Sequence, residues 1–309
     1  MTFVFSFIPT STPGYVVSSG RSVAWSDIPD DLEARITEAH GRGESLEAVS
    51  VAPDGDWFLR TNMRACCKAG PTSRIQGFIQ HCAENGAPLA LADVQTFTFG
   101  PNPDACVVTV SRQGGGAAIC AYRAEAIPLS LALHLQAALK TTGTQSVTIG
   151  REDSWVFVGT DGSVDWSGVP DSMVTTMKSR ARIPIRVSSA CRGRKSELTA
   201  QNIQSVFLSL ADSDHWVISY ADGTVFHSLP TQWDSPVDDK ARICSQAQQT
   251  NYAMLMRNQE AQMSYMNQAA QMSYRNQMNA TRHAAMMSAA SAQAAAAKLG
   301  AETVASAIW

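Results

Sequence analysis

The apolar positions along residues 3–240 form short runs that come in groups of three, and each group ends at a proline followed by a helical pattern. The runs are rich in β-branched and aromatic residues, and turn-forming residues separate them, which is typical of short strands joined by tight turns. The groups begin near residues 3, 46, 94, 146 and 203 and reach Pro29, Pro71, Pro128, Pro170 and Pro230. The sequence therefore predicts five units, each with three strands followed by one helix.

The five prolines are separated by 42, 57, 42 and 60 residues. A supersecondary unit that repeats at this period indicates a propeller or a solenoid-like array. Small antiparallel sheets are most simply arranged as blades around an axis. We predict an α+β repeat fold in which five strand-strand-strand-helix units form a propeller-like ring over residues 1–240. An open superhelical array is the alternative.

Each proline is expected at the first helical position, because the N–H that it lacks would have no partner there. In four units an apolar residue precedes the proline and another follows four positions later, which favours contact between them at the helix start. The second unit has Gly70 and Arg74 at these positions, so we expect its helix to be held differently. The four apolar pairs are Ile28 and Leu32, Ile127 and Leu131, Val169 and Met173, and Leu229 and Trp233.

Three segments resemble a repeat found in uncharacterised eukaryotic proteins, notably of fungal type. They are residues 166–170 (WSGVP), 25–29 (WSDIP) and 216–223 (WVISYADG). The repeat has the approximate pattern VxxVSxGxDGxWFVxxxDGxxxWSGLP, and the resemblance is good in units one, four and five and degraded in units two and three. It implies a propeller-like fold and carries no known activity.

The composition changes after Lys240, and residues 241–309 are rich in Ala, Gln, Met, Asn and Ser. These residues favour a helix, and one uninterrupted helix of this length would reach roughly 100 Å. The segment 263–268 (MSYMNQ) is nearly repeated nine positions later at 272–277 (MSYRNQ). Nine residues are about two and a half helical turns, so the two copies face opposite sides of the helix, which favours contacts on two sides. We predict that this tail associates with other copies; the candidate contact residues are Met256, Met263, Tyr265, Met266, Ala270, Tyr274 and Met287. Partial disorder and binding to a membrane surface are the alternatives.

Charge and composition exclude some classes of partner. The net charge is −3 and the pI is about 6.1, whereas nucleic-acid binders usually carry a strongly basic surface. No apolar run of about 18 residues predicts a membrane-spanning helix. The first residues lack the basic start of a signal peptide and the seven cysteines form no C-x-x-C pair, so we expect a cytoplasmic protein.

Little in the sequence predicts catalysis. Cys66 and Cys67 are adjacent, and adjacent strand residues point to opposite faces, so we expect neither a metal site nor a cofactor there. His81-Cys82 is the second small cluster. If the repeating unit is counted from the first strand of each hairpin, its order is strand-strand-helix-strand, and five such units around an axis resemble the pentein fold. That resemblance implies a Cys nucleophile with His and acidic partners, which cannot be placed convincingly in this chain.

Two further groups are candidates for binding. Tryptophans at repeat positions could stack against sugars or peptides between blades, together with aspartates in two hairpin turns: Trp25, Trp57, Trp155, Trp166, Trp216, Asp161 and Asp222. Packing of blade against blade is the alternative role for these aromatic rings. The loop at residues 180–195 is basic and could bind another protein, or could simply be solvated.

The sequence therefore favours a non-enzymatic structural or interaction protein that self-assembles through its C-terminal helix. A lectin-like or peptide-binding propeller is the second hypothesis, and a pentein-like enzyme is the third.

Overall fold

The computed structural model describes residues 2–70, 73–85, 88–102, 104–110, 119–141, 143–179, 198–199 and 203–306. Pro71 and the basic loop at residues 180–195 lie outside the described residues. The chain divides into two compact units, Met1–Gln249 and Thr250–Trp309.

The described strands form five small antiparallel sheets, as the sequence predicts. Sheet 1 contains β1 (Phe3–Ile8), β2 (Gly14–Ser19) and β3 (Ser22–Ser26). Sheet 2 contains β4 (Leu46–Val51), β5 (Trp57–Thr61) and β6 (Ala65–Cys67). Sheet 3 contains β7 (Val94–Phe99), β8 (Cys106–Val110) and β9 (Ile119–Tyr122). Sheet 4 contains β10 (Thr144–Ile149), β11 (Trp155–Gly159), β12 (Ser163–Ser167) and the short β13 (Leu198–Thr199). Sheet 5 contains β14 (Ile203–Leu208), β15 (Trp216–Tyr220) and β16 (Val225–Ser228).

A helix follows each sheet along the chain. The helices are α1 (Asp30–Gly41), α2 (Arg74–Glu84), α3 (Leu129–Thr141), α4 (Asp171–Ser179) and α5 (Thr231–Ser306). A 3-10 turn at Leu91–Asp93 precedes β7. Within the described residues, no helix combines the length and the apolar character needed to cross a membrane.

The four described repeat prolines lie one position earlier than predicted, directly before the first residues of α1, α3, α4 and α5. Pro29 is the N-cap of α1 rather than its first helical residue, and its carbonyl accepts the first helical hydrogen bond from Glu33 at 2.9 Å. Pro128 and Pro170 accept equivalent bonds from Ala132 and Val174. The fixed φ of proline suits the N-cap as well, because that residue contributes only its carbonyl to the helix.

The second unit holds its helix differently, as Arg74 predicts. The Arg74 side chain donates to Asp54 at 2.6 Å and to the carbonyl of Asn102 at 3.3 Å. Its backbone N–H donates to the Asp56 carboxylate. Charged hydrogen bonds therefore fix the start of α2, whereas apolar pairs pack at the starts of the other helices.

The core consists of five apolar clusters, each of which joins one face of a sheet, the helix that follows it and the facing side of the next sheet. We call these clusters seams and number them by the sheets they join: 1/2, 2/3, 3/4, 4/5 and 5/1. In seam 5/1 the first turns of α5 supply the helix, through Trp233, Val237 and Cys244. Every sheet is thus covered on both faces.

The first strands of successive sheets also contact one another. Strand β1 contacts β4, β4 contacts β7, β7 contacts β10, and β10 contacts β14; β14 in turn contacts β1. Helix α1 contacts β5, the second strand of the next sheet, and α3 contacts β9, the third strand of its own unit.

In two seams a hydrogen bond from a tryptophan indole N–H to a serine hydroxyl links one repeat unit to the next. Trp155 Nε1 donates to Ser130 Oγ at 2.9 Å in seam 3/4, and Trp216 Nε1 donates to Ser172 Oγ at 3.4 Å in seam 4/5. Each tryptophan begins the second strand of its sheet, and each serine lies two residues after the proline of the preceding unit. In seam 2/3 the serine position holds Ser73, whose buried hydroxyl has no hydrogen-bond partner among the described residues.

We expect Ser130→Ala to lower the free energy of unfolding by about 1 kcal/mol, because the Trp155 indole N–H loses its acceptor. Ser73→Ala is the matched control, and we expect it to be neutral or slightly stabilising, since the Ser73 hydroxyl is buried without a partner. Urea unfolding followed by tryptophan fluorescence measures both. Equal losses in the two variants would contradict this assignment.

Candidate functional site

The strand register identifies the residue of the first unit that corresponds to the repeat tryptophans. In sheets 4 and 5 a tryptophan begins the second strand and pairs with the last residue of the third strand, Trp155 with Ser167 and Trp216 with Ser228. In sheet 1 the residue that pairs with the last residue of the third strand, Ser26, is Tyr15. Tyr15 packs in seam 5/1, so this seam has a tyrosine at the tryptophan position.

A cleft of about 570 Å³ lies at this position. Its walls come from the end of β1, the β1–β2 turn, the end of β3, the β14–β15 loop and the start of α5. The residues that matter for its chemistry are Ile8, Gly14, Tyr15, Asp27, Asp212, His215, Gln232 and Trp233. The volume lies within the range of about 300–1,000 Å³ that is usual for small-ligand pockets.

The backbone explains why residue 14 must be glycine. A Cβ on Gly14 would overlap the carbonyl oxygens of Ser26 and Asp27. Asp27 has a φ of 53°, a left-handed conformation that costs a non-glycine residue free energy. The equivalent residue of the fourth unit is Gly168, with a φ of 68°. The first unit therefore places a carboxylate at the cleft where the fourth unit has glycine.

The inner wall of the cleft is aromatic. The ring of Trp233 lies 5.3 Å from that of Tyr15, 6.4 Å from that of Phe7 and 6.4 Å from that of His215. Burial, and next the negative charge of Asp27, raise the pKa of the Tyr15 hydroxyl. Trp233 and Tyr15 are buried, so they form a firm apolar surface at the base of the cleft.

The β14–β15 loop is held in place by its own hydrogen bonds. Ser209 Oγ accepts bonds from the backbone N–H groups of Ala211 at 3.2 Å and Asp212 at 3.1 Å. The Asp212 carboxylate accepts from the N–H of Asp214 at 2.9 Å and lies 3.7 Å from His215 Nδ1. These bonds fix an acid and an imidazole at the rim.

The five predicted tryptophans lie inside the seams. Trp25 and Trp57 are in seam 1/2, Trp155 is in seam 3/4, and Trp166 and Trp216 are in seam 4/5. Trp25 is half-buried, and the other four are 2–5% exposed. None of the five lines the cleft at seam 5/1. Their faces contact sheets and helices, which is the packing role considered above.

The two predicted aspartates lie in hairpin turns. Asp161 accepts hydrogen bonds from the backbone N–H of Ser163 at 2.9 Å and from its hydroxyl at 2.6 Å. Burial acts to raise the pKa of Asp161, but these hydrogen bonds outweigh it and hold the pKa below its usual value. Asp222 accepts from the N–H of Thr224 at 2.9 Å. Both carboxylates therefore stabilise turns.

A second, smaller cavity of about 130 Å³ is lined by the first strands of all five sheets. Hydroxyls in these strands bond to carbonyls on the neighbouring strand: Thr98 donates to Val147 at 2.7 Å and Thr148 donates to Val206 at 2.5 Å. These bonds satisfy carbonyls that the edge of each sheet would otherwise leave unpaired. The cavity is small beside the cleft at seam 5/1.

Five of the cysteines are free thiols whose pKa values burial raises: Cys66, Cys67, Cys82, Cys106 and Cys244. Cys66 packs in seam 1/2 and Cys67 in seam 2/3, so the two side chains point to opposite faces of sheet 2. Burial raises the pKa of Cys66, Cys67, Cys82 and Cys244, and it raises the pKa of Cys106 to about 12. A nucleophilic cysteine needs the opposite shift, towards the thiolate.

In the part of the chain that the structure describes, no three His, Cys, Asp or Glu side chains lie close enough together to hold a metal ion. The seven candidate contact residues of the tail are all exposed on α5, within the compact unit Thr250–Trp309.

Sequence reasoning missed most of the cleft residues, since the repeat tryptophans drew attention to the seams that contain them. The available signal was an exception to the repeat: the first unit has Tyr15 where the fourth and fifth have tryptophan, and Asp27 where the fourth has glycine. Deviations from a repeat are informative only once the strand register identifies which positions are equivalent.

We expect the Cys106 thiol to resist iodoacetamide at pH 8 and to react once urea unfolds the chain, because burial raises its pKa to about 12. Since the folded state holds this proton more tightly, the stabilisation is complete below the ordinary thiol pKa of about 9 and is lost as the pH rises towards 12. Cys106→Ala should show a weaker loss of stability above pH 9 than the unchanged chain. Rapid labelling of Cys106 in the native protein, measured by peptide mass spectrometry, would be inconsistent with this burial.

No family model matches the chain, and no curated protein matches it. Among solved structures, the β-propeller domain of Cps50 (Swd1) from Myceliophteria thermophila is 8% identical, with a TM-score of 0.29, over 72% of this chain and 68% of that chain. Virginiamycin B lyase from Staphylococcus aureus is 8% identical, with a TM-score of 0.24, over 73% of this chain and 69% of that chain. Similarity at this level assigns no function.

Proposed function

We propose that the five sheets form a closed, propeller-like ring and that the protein is a non-enzymatic interaction protein that self-assembles through its C-terminal helix. Ring closure is supported by the contact of β14 with β1 and by seam 5/1, which joins the last sheet to the first. Self-assembly is supported by the exposure of α5 over residues 250–297.

The observation that carries the proposal is the uncovered surface of α5. Every residue from 250 to 297 is exposed. Twelve large apolar or aromatic side chains in this stretch are 40–73% exposed: Tyr252, Met254, Leu255, Met256, Met263, Tyr265, Met266, Met272, Tyr274, Met278, Met286 and Met287. A helix in a protein gains most of its stability from packing, so this surface needs a partner.

Charge favours a second copy of the chain as that partner. Residues 250–297 contain four charged side chains of the Asp, Glu, Lys and Arg types: Arg257, Glu260, Arg275 and Arg282. So few charges give little basis for selecting an acidic or a basic partner. The same Met- and Ala-rich surface on another copy matches this one, and small residues such as Ala270 allow close approach of two helices.

The duplication within the tail extends the argument from a pair to an assembly. Met263 and Met272 occupy the same position in the two nine-residue copies and are 68% and 63% exposed. Nine residues correspond to about two and a half helical turns, so these side chains lie on opposite sides. Contacts on both sides would join copies head to tail, and heterologous contacts of that kind give rings or filaments.

We expect the full chain to have a solution mass above its monomer mass of 33.2 kDa, rising with concentration. The paired change Met263→Glu and Met266→Glu should weaken association about ten-fold or more, because burying an unpaired carboxylate costs well over 1 kcal/mol. Sedimentation equilibrium of the full-length variants measures this directly.

Met63→Glu is the matched control, since Met63 is 73% exposed but lies in the compact unit Met1–Gln249 rather than in the tail. Its mass distribution should equal that of the unchanged chain. A chain ending at Gln249 should be a folded monomer. A monomeric full chain at every concentration would refute self-assembly.

A further inference from the structure

We propose that the cleft at seam 5/1 binds a guanidinium group, such as that of an arginine side chain. Other repeat units pair the acid of the equivalent loop with an arginine of this chain, whereas the acids of the cleft have no such partner among the described residues. The cleft lies within the compact unit Met1–Gln249, so binding there does not require association of the tail.

The loop between the first and second strands carries an acidic residue in repeat units two to five and none in unit one. In units two, three and four an arginine pairs with one of these acids. The pairs are Arg74 with Asp54 at 2.6 Å, Arg123 with Asp104 at 2.9 Å, and Arg151 with Glu152 at 3.6 Å. In unit five the acid that lines the cleft is Asp212, and its neighbour is His215 at 3.7 Å rather than an arginine.

Two of these arginines also reach the following sheet. Arg74 donates to the carbonyl of Asn102 at 3.3 Å, and Arg151 donates to the carbonyl of Ala211 at 2.9 Å. Each acceptor lies in the loop between the first and second strands of the next unit. A guanidinium can bridge two sheets in this way because its five N–H groups point in several directions within one plane.

The cleft offers carboxylate acceptors from both of the sheets that meet there. Asp212 belongs to the β14–β15 loop, Asp27 follows β3, and both line the cleft. The Asp212 carboxylate accepts from the N–H of Asp214, and that of Asp27 accepts from the Ser26 hydroxyl. Since a carboxylate has about four acceptor positions, each of the two can accept further N–H donors.

A buried hydroxyl at the cleft points to a ligand independently of the acids. Tyr15 is 6% exposed and lines the cleft, and within the described residues its hydroxyl has no hydrogen bond. Burial, followed by the charge of Asp27, raises the pKa of this hydroxyl, which places Asp27 close to it. An N–H donor between the two would satisfy an oxygen that otherwise lacks a partner.

The walls favour a guanidinium over an ammonium group. Trp233 and Tyr15 form the aromatic base, and a guanidinium is planar, weakly hydrated and able to stack on aromatic faces, whereas an ammonium is compact and strongly hydrated. His215 is the one basic side chain among the described lining residues. The volume of about 570 Å³ admits a whole arginine side chain.

The test uses the full chain and four small probes: acetyl-arginine methylamide, acetyl-citrulline methylamide, acetyl-lysine methylamide and butylguanidine. Binding is followed by saturation-transfer NMR on the probe protons and quantified by titration. We expect the arginine derivative to bind and its uncharged isostere citrulline to bind about ten-fold or more weakly, because charge-assisted hydrogen bonds are lost. The lysine derivative should bind about three-fold more weakly than arginine, because it lacks the planar fork of donors.

Variants then locate the site. Asp212→Asn should weaken binding of the arginine derivative about five-fold or more, because a charged acceptor becomes neutral, while the asparagine oxygen can still accept from the N–H of Asp214. Asp214→Asn is the matched control, since it removes the same charge from the same loop at a residue that does not line the cleft; it should leave binding unchanged. Tyr15→Phe should weaken binding about three-fold. Circular dichroism checks that each variant is folded.

Any of three results would overturn the proposal: no saturation transfer to the arginine derivative, equal affinity for arginine and citrulline, or equal effects of Asp212→Asn and Asp214→Asn. Butylguanidine distinguishes the two sources of a guanidinium group. If it binds as tightly as the arginine derivative, the site is assigned to a small guanidino compound. If it binds more weakly, the site is assigned to an arginine in a partner chain.

Discussion

Each of the five sheets is apolar on both of its faces, and this constraint determines how the sheets of the compact unit Met1–Gln249 are arranged. A sheet that is apolar on both faces leaves apolar surface in water unless both faces are covered, and burying that surface is favourable. Val16 packs in seam 1/2 while its neighbour Val17 packs in seam 5/1. Because β2 supplies side chains to two seams, sheet 1 needs sheet 2 on one face and sheet 5 on the other. The same argument applies along the chain, so the terminal sheets complete each other's burial.

The sequence was sufficient to predict the elements but not the site. Alternation, turn residues and prolines predict strands and helices, since these depend on local spacing. The division of Cys66 and Cys67 between two seams also follows from strand geometry alone. The pairing of Trp155 with Ser130 could not be predicted, because it joins residues of different units and depends on how a helix packs against the next sheet. The cleft is harder still, because its lining residues come from the first and fifth units and are brought together only where sheet 5 packs against sheet 1.

The cleft and the tail differ in the physical features of their surfaces. The cleft is lined by side chains that a rigid scaffold fixes: Trp233 is buried, and hydrogen bonds to Ser209 hold the neighbouring loop. Such a site selects a small group by shape and by a few polar contacts. The exposed stretch 250–297 has few charges and many Met side chains, which adapt to different surfaces. A surface of this kind gains binding free energy from the apolar area that it buries rather than from fixed geometry. This is compatible with the same surface on another copy as the partner.

Gly14 and Asp27 are best explained together. The fourth unit has Gly168 at the left-handed position before the apolar-proline pair, whereas the first unit has Asp27 there at a φ of 53°. The backbone at Ser26 and Asp27 lies so close to residue 14 that only glycine fits at that position. An aspartate at this φ is strained relative to glycine, so it lowers stability without improving packing. What it provides is a carboxylate at the rim of the cleft between the last sheet and the first.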